Sequence, residues 1–236
     1  AIYQAVLRSA GRRRAPDGPP AALRPFVAAE IGARWGTWGA RAGAFLRESR
    51  PGAPYDLYFA EGYPTHCEGL IRVMVKNRLR FNLDCGNASV ASIAKWAEGV
   101  PHIDLFDFDV QGAEAHLIPG LWPLLNEKAC RLIIGTHSVA IHATLRAMFR
   151  DWITIADVPF QENQACVERY LSGNFQQLSA HRFQWSNLVK EGCYYESPRG
   201  KVAHYDGELI VDNPRFVDRS RAFSLNDSVL VTDDLL

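Results

Sequence analysis

The chain has 236 residues, of which 47% are hydrophobic and 22% charged, a composition that excludes a disordered, collagen-like or coiled-coil protein. Its 26 Lys and Arg balance its 26 Asp and Glu, so it lacks the overall positive field of most nucleic-acid binders, and nucleic acid is not an expected partner. The apolar runs are far shorter than the ~20 residues that cross a bilayer, so no transmembrane helix is expected.

Residues 1–22 are expected to be a leader and linker. The only acid there is Asp17, and the segment carries Arg8, Arg12, Arg13 and Arg14. An Arg-rich, acid-poor segment is typical either of a remnant of organelle targeting or of a solvated linker.

From residue 23 to residue 158, short apolar runs alternate with segments of helical period, which indicates a parallel sheet with helices on both faces. The predicted strands are 26–30, 55–60, 103–110 and 131–135, and the predicted helices are 39–49, 64–77, 89–98, 114–125 and 138–150. The strands are apolar throughout rather than alternating, as expected for strands that are buried on both faces. The segment between residues 82 and 103 is expected to be too short for a strand, a loop and a helix.

Residues 159–236 form a looser extension that is expected to complete the sheet, with 229–231 as an edge strand. Its aromatic side chains are expected to form a lid over the strand ends beside Asp109 and His137; an extra layer on the far side of the sheet is the alternative. They include Tyr170, Phe175, Phe183, Trp185, Tyr194 and Tyr195.

The first candidate site lies after the first predicted strand, which ends at Glu30 and is followed by Gly32 and Gly36 in a turn. Ligands of parallel sheets bind outside the carboxyl ends of the strands, and this turn is the usual place for a nucleotide-like cofactor. Glu61 ends the second strand, where a carboxylate can bind ribose hydroxyls. Because the turn lacks G-x-G-x-x-G, a ribose ligand without phosphate, such as S-adenosylmethionine, fits best. The alternatives are glycines that serve the turn alone and a solvated Glu61.

The second candidate site lies at the end of the third predicted strand. Asp107 and Asp109 share one strand face by alternation, so they are expected to repel or to share a proton. A carboxylate or an imidazole at such strand ends can act as a general base, and Asp109 and His137 are the two candidates for that role. The alternatives are a helix-capping Asp109 and a His137 that is only hydrogen-bonded at its strand end.

The run 109–114 (Asp-Val-Gln-Gly-Ala-Glu) resembles the signature of the FkbM-like methyltransferases, and 30–36 resembles the first motif of that family. Segments at 134–138, 197–200, 206–207 and 213–215 are similar to one branch of it. The resemblance implies a Rossmann-like class I methyltransferase fold, a mostly parallel twisted sheet with an antiparallel edge hairpin. It implies an S-adenosylmethionine-dependent O-methyltransferase acting on a sugar or a natural-product-like small molecule. The implied cofactor residues are Glu30, Gly32, Gly36, Glu61 and Asp84, and the residues implied to face the acceptor are Asp109 and Glu114.

Arg34, Asp107 and the short 82–103 segment depart from the family pattern. The Arg34 guanidinium would either pair with Glu30 and compete with ligand contacts, or bind the methionine carboxylate. A second interpretation is therefore a catalytically inactive methyltransferase-like domain, serving as a structural or interaction subunit with protein partners.

The five cysteines are scattered and form no C-x-x-C. They are expected to be buried or free thiols in a reducing compartment, such as the cytoplasm or an organelle interior, rather than a disulfide framework. The histidine and cysteine spacing predicts no metal site.

Overall fold

The computed structural model describes residues 25–160, 194–197, 200–203 and 207–216. The strands are β1 (Phe26–Ile31), β2 (Tyr55–Glu61), β3 (Asn82–Cys85), β4 (Leu105–Phe108), β5 (Arg131–Thr136), β6 (Ile153–Val158), β7 (Tyr194–Ser197), β8 (Gly200–Ala203) and β9 (Gly207–Asp212). The helices are α1 (Thr37–Ser49), α2 (Pro64–Lys76), α3 (Val90–Glu98), α4 (Glu114–Gly120), α5 (Trp122–Lys128) and α6 (Val139–Met148). None of the helices in these ranges is long and apolar enough to cross a membrane.

Seven of the strands form one sheet in the order β3-β2-β1-β4-β5-β9-β6. The first five pair in parallel, and β9 pairs antiparallel with both β5 and β6. The predicted fold class is confirmed, because the sheet is mostly parallel, Rossmann-like and ends in an antiparallel pair. Strands β7 and β8 form a separate hairpin.

The core lies on both faces of this sheet. Residues such as Phe59 pack against α1 and α2 on one face, and residues such as Phe106 pack against α3, α4 and α6 on the other. Burial on both faces explains why the central strands are continuously apolar. At the amino end of β5, Arg131 lies buried in a two-bond ion pair with Asp212 of β9, at 2.6 and 2.8 Å.

The segment between residues 82 and 103 holds a strand and a helix, so the expectation that it is too short was wrong. Strand β3 has four residues, and α3 follows after a four-residue connection. Ser89 makes this compact connection possible: its hydroxyl accepts from the Ser92 N–H at 3.0 Å, and its own N–H donates to the Ser92 hydroxyl at 3.1 Å. This capping box starts the helix without a longer loop.

Two predicted elements have different bounds in the structure. The strand predicted at 103–110 is only β4, since Val110 turns its N–H toward Glu114 instead of a neighbouring strand. The helix predicted at 114–125 is divided into α4 and α5 at Leu121. Pro123 lies in the first turn of α5, where its missing N–H costs no helical hydrogen bond.

The prediction of free thiols is wrong for two of the cysteines. Cys67 in the first turn of α2 and Cys85 at the end of β3 form a disulfide, with their Cα atoms 6.1 Å apart. They are 18 residues apart in sequence, and the parallel β2–α2–β3 unit brings them together. Cys130 is buried, while Cys166 and Cys193 lie outside the described residues.

Several predictions fall on residues that the structure does not describe. They are the 1–22 leader, the edge strand at 229–231, and the lid residues Tyr170, Phe175, Phe183 and Trp185. Tyr194 and Tyr195 lie in β7, and the structure describes only the backbone pairing of this strand. The lid therefore stays a prediction.

Candidate functional site

The turn between β1 and α1 is built on left-handed backbone. Gly32 has φ +80° and Gly36 has φ +68°, and Arg34 adopts φ +49° between them. A Cβ on Gly32 would overlap the backbone carbonyl of Asp109, so only glycine lets the loops after β1 and β4 approach this closely. A Cβ on Gly36 would overlap Met74 of α2. Both glycines are required by the fold of the turn, and Gly36 is buried rather than open to a ligand.

Glu61, at the end of β2, holds this turn in place. Its carboxylate accepts the Arg34 N–H at 2.6 Å and the Tyr63 N–H at 2.9 Å, and lies 3.3 Å from Nδ1 of His66. A carboxylate accepts about four hydrogen bonds, so three contacts leave room for one more. Of the three, His66 provides the only side-chain contact, and His66 is half-exposed. The Glu61 side chain is only 5% exposed, so a ribose hydroxyl would have to take the remaining position or displace His66.

Glu30 lies beneath the start of α1 instead of in an open cleft. Its Oε2 accepts the Gly39 N–H at 3.0 Å, where the positive end of the helix dipole favours a carboxylate. Burial nevertheless raises the pKa of Glu30 to about 8, against backbone hydrogen bonds that lower it, and the nearby Asp109 raises it further. The structure thus gives Glu30 a place in supporting the turn.

Asp107 is the neighbour of Glu30 across β1 and β4, and it is 3% exposed. Burial raises its pKa well above its usual range, and the charges of Glu30 and Asp109 add to the effect. The sequence analysis expected Asp107 and Asp109 to repel or to share a proton, and the raised pKa of Asp107 agrees with two acids placed close together. The Arg34 guanidinium lies 4.5 Å from the centre of the Trp35 ring, and it forms no ion pair with Glu30 among the described residues.

Asp84 lies at the end of β3, next to Tyr58. Burial raises the pKa of the Tyr58 hydroxyl to about 12, and the charge of Asp84 together with its hydrogen bond to that hydroxyl raises it too. The Tyr58 ring stacks on Trp96 of α3 with centroids 4.3 Å apart. Asp84 is thus fixed at the strand edge beside the end of β2, because Glu61 pairs in register with the next residue, Cys85.

Asp109, Glu114 and His137 form a compact cluster after β4 and β5. Nε2 of His137 lies 3.1 Å from Asp109 and Nδ1 lies 3.0 Å from Glu114. The Asp109 side chain is 54% exposed, that of His137 9%, and that of Glu114 0%. The family resemblance implied that Glu114 faces the acceptor, but the structure shows its side chain fully buried. Its two carboxylate oxygens accept hydrogen bonds from the N–H groups of Val110 and Gly112 at 2.7 and 2.8 Å.

Sequence reasoning missed Gln111 as a member of this cluster. Its side-chain Nε2 donates to Asp109 at 3.2 Å and lies 2.9 Å from Nε2 of His137. Its backbone has φ +54°, uncommon for a residue with a side chain and more frequent at functional sites. The signal was present in the 109–114 run, where Gln111 stands between the two acids. The capping alternative for Asp109 is not what the structure shows, because α4 has Ala113 at its N-cap.

The two groups of predicted site residues lie next to each other at the carboxyl ends of the parallel strands. The Asp109 N–H donates to the Ile31 carbonyl at 2.9 Å, and Gly32 touches the Asp109 carbonyl. The β1–α1 turn with Glu61 therefore adjoins the cluster of Asp109, Glu114 and His137. This is the side of a parallel sheet where ligands bind.

The chain is similar to several solved structures, whose sequences are only 10–15% identical to it. TrmK of M. capricolum, in complex with the natural cofactor product S-adenosyl-homocysteine, is 10% identical, with a TM-score of 0.43 covering 90% of this chain and 67% of that one. The C-terminal domain of precorrin-6Y C5,15-methyltransferase from Rhodobacter capsulatus is 13% identical, with a TM-score of 0.44 over 88% and 87%. Precorrin 8W decarboxylase from Methanobacterium thermoautotrophicum is 15% identical, with a TM-score of 0.44 over 83% and 92%.

No protein-family model matches the chain, and no curated protein sequence matches it. The FkbM-like resemblance is therefore not confirmed.

Proposed function

We propose that the protein is an S-adenosylmethionine-dependent O-methyltransferase that acts on a hydroxyl of a sugar or a natural-product-like small molecule. One observation carries the proposal: a buried acid beside a left-handed turn adjoins an acid–histidine cluster at the carboxyl edge of the sheet. The first part suits the ribose of a cofactor, and the second suits deprotonation of an acceptor.

The residues at the ends of β1, β2 and β3 fit the adenosine part of this cofactor. Glu61 has one acceptor position left for a ribose hydroxyl, and Asp84 lies beyond it at the edge of β3. When bound, S-adenosylmethionine supplies a methyl group from its sulfonium. The chain contributes placement, since correct alignment of two reactants can lower the barrier by ~7–11 kcal/mol.

His137 and Asp109 are the proposed proton acceptors. Nδ1 of His137 lies 3.0 Å from the buried Glu114, and Nε2 lies 3.1 Å from the exposed Asp109. A base oriented by a buried carboxylate is the usual arrangement in general base catalysis. In this arrangement Glu114 is a positioning residue, because it is buried and cannot touch the acceptor.

Titration calorimetry with S-adenosylmethionine and S-adenosyl-homocysteine tests the proposal. We expect binding and a concentration-dependent rise in melting temperature. Glu61→Gln should weaken binding at least tenfold, whereas Asp109→Asn should preserve binding and reduce methyl transfer. Glu68→Gln is the matched control, because Glu68 is an exposed glutamate of α2 whose only described ion pair is with Arg72. If Asp109→Asn abolishes binding and Glu61→Gln does not, the two acids are assigned the wrong way round.

The occupied carboxylate of Glu61 favours a second candidate, an inactive methyltransferase-like subunit of a larger assembly. In such a protein Glu61 would serve only to tie the turn to β2 through Arg34 and Tyr63. The absence of heat and of thermal stabilisation at millimolar cofactor would support this candidate and refute the enzyme.

A further inference from the structure

The cluster of Asp109, Glu114 and His137 has the composition and spacing of a metal site, which sequence spacing did not reveal. One ligand atom from each residue lies within 4.8 Å of the others. We propose that these three residues bind a divalent metal ion at the carboxyl ends of β4 and β5.

The donor set is two carboxylates and one imidazole. Carboxylates suit Mg²⁺ and Mn²⁺, imidazole suits Zn²⁺ and Fe²⁺, and Mn²⁺ accepts both. Metal sites in enzymes commonly have three protein ligands and keep further positions open. The exposure of the ligands agrees with a site that is open on one side, since Glu114 is fully buried and Asp109 is half-exposed to solvent.

The hydrogen bonds behind the ligands would orient them. Glu114 is fixed by the N–H groups of Val110 and Gly112, and Gln111 donates to Asp109. Ligands of protein metal sites are generally held in this way by outer hydrogen bonds.

The two acidic ligands have no basic partner among the described residues other than the imidazole of the cluster. No lysine or arginine in the described ranges pairs with Asp109 or Glu114, and both lie about 3 Å from His137. A divalent cation placed between the two carboxylates would therefore be the main positive charge beside them.

The competing arrangement is a protonated His137 that bridges Asp109 and Glu114 and leaves no place for a metal. The two arrangements differ in what they predict for added cations. A metal takes one imidazole nitrogen and excludes the bridging proton, so it binds more weakly as the pH falls.

The cluster can bind a metal whether or not the protein is a methyltransferase. A catalytic role for that metal, however, depends on methyltransferase activity. In an O-methyltransferase with metal bound, Asp109 and His137 would act as ligands instead of proton acceptors. An open coordination position would hold the acceptor oxygen, and the metal would lower the pKa of that hydroxyl so that solvent could take its proton. The acceptor class would then be small molecules whose reacting hydroxyl is accessible to a metal. This part rests on the proposed function.

The test uses the full chain after treatment with a chelator and without cofactor. Mn²⁺ is added and bound ion is measured by electron paramagnetic resonance and calorimetry. We expect one Mn²⁺ per chain and pulsed-resonance coupling to one imidazole nitrogen. Asp109→Asn and His137→Gln should each weaken binding at least tenfold, and His137→Gln should remove the nitrogen coupling.

His102→Gln is the matched control. His102 also pairs with a carboxylate, Asp104, at 3.1 Å, but at the opposite end of β4, and no third ligand joins them among the described residues. It should leave Mn²⁺ affinity within twofold of wild type. Absence of binding to Mn²⁺, Zn²⁺ and Mg²⁺ below 1 mM would overturn the proposal, as would binding that is equal in all variants.

The same samples are then titrated with S-adenosylmethionine. Cofactor binding without metal binding would refute the metal site and keep the methyltransferase. Metal binding without cofactor binding would refute the methyltransferase and keep the metal site. Melting curves without metal show whether each variant is folded, and the exposed Asp109 makes Asp109→Asn the least disruptive of them.

Discussion

Glu30→Gln should make the protein more stable at high pH without changing it at low pH. Burial raises the pKa of Glu30 from its usual value of 4.5 to about 8. Between these two values the folded protein holds a proton that the unfolded chain has released. Stability therefore falls as the pH rises from about 4.5, and the loss is complete above about 8.

The size of the effect follows from the same numbers. The gap between 4.5 and about 8 is roughly 3.5 pH units, and each unit corresponds to about 1.36 kcal/mol. Ionisation of Glu30 in the folded state therefore costs up to about 5 kcal/mol. Glutamine resembles the neutral acid and keeps an oxygen to accept the Gly39 N–H, so the variant avoids this cost.

Urea unfolding followed by tryptophan fluorescence measures the prediction. We expect nearly equal unfolding free energies for wild type and Glu30→Gln near pH 4, and a variant that is more stable by several kcal/mol near pH 9. The exposed Glu48 of α1 provides the control, since Glu48→Gln should change neither value. A difference between Glu30→Gln and wild type that is the same at both pH values would refute the reasoning.

Three further predictions concern the turn and its neighbours. Gly32→Ala should lower the unfolding free energy by more than about 3 kcal/mol, because of positive φ and overlap with Asp109. Gly112→Ala, with φ +103° but open space around it, should cost only about 1–2 kcal/mol, and equal losses in urea unfolding would contradict this account. Cys67→Ser should cost about 3 kcal/mol, as expected for a disulfide between residues 18 apart; if wild type in reductant keeps its full stability, the disulfide adds none. His66→Ala should tighten cofactor binding about two- to fivefold by calorimetry, since a partly exposed pair is worth about 0.5–1 kcal/mol, and weaker binding would show that His66 contacts the cofactor.

The sequence was sufficient for the central strands because burial makes them continuously apolar. Strands β1, β2 and β5 match their predicted positions within one or two residues. Strand β3 was missed because it lies at the edge and is only partly buried, so it carries no apolar run. In β9, a short apolar core is bounded by Gly207 and Asp212, and both residue types are also typical of turns.

The candidate site was predictable where its residues follow strand ends directly. Asp109 and His137 were identified because the carboxyl ends of neighbouring parallel strands meet. Side-chain direction was not predictable. The sequence does not show that Glu30 turns under α1, that Glu114 faces the backbone, or that Cys67 reaches Cys85, because each depends on packing between separate elements.

The position of β9 between β5 and β6 has a consequence for the order of folding. Strand β6 ends at Val158 and its partner begins at Gly207, so β6 cannot join the sheet when it is synthesised. The β1–β5 units make local contacts and can form early, while closure of the last two strands waits for a long-range contact, which slows folding. Until Asp212 arrives, Arg131 has no carboxylate from β9 to neutralise it, and burying it would be costly. We therefore expect the β5 edge to stay hydrated in a folding intermediate, and to be the edge at which newly made chains associate wrongly.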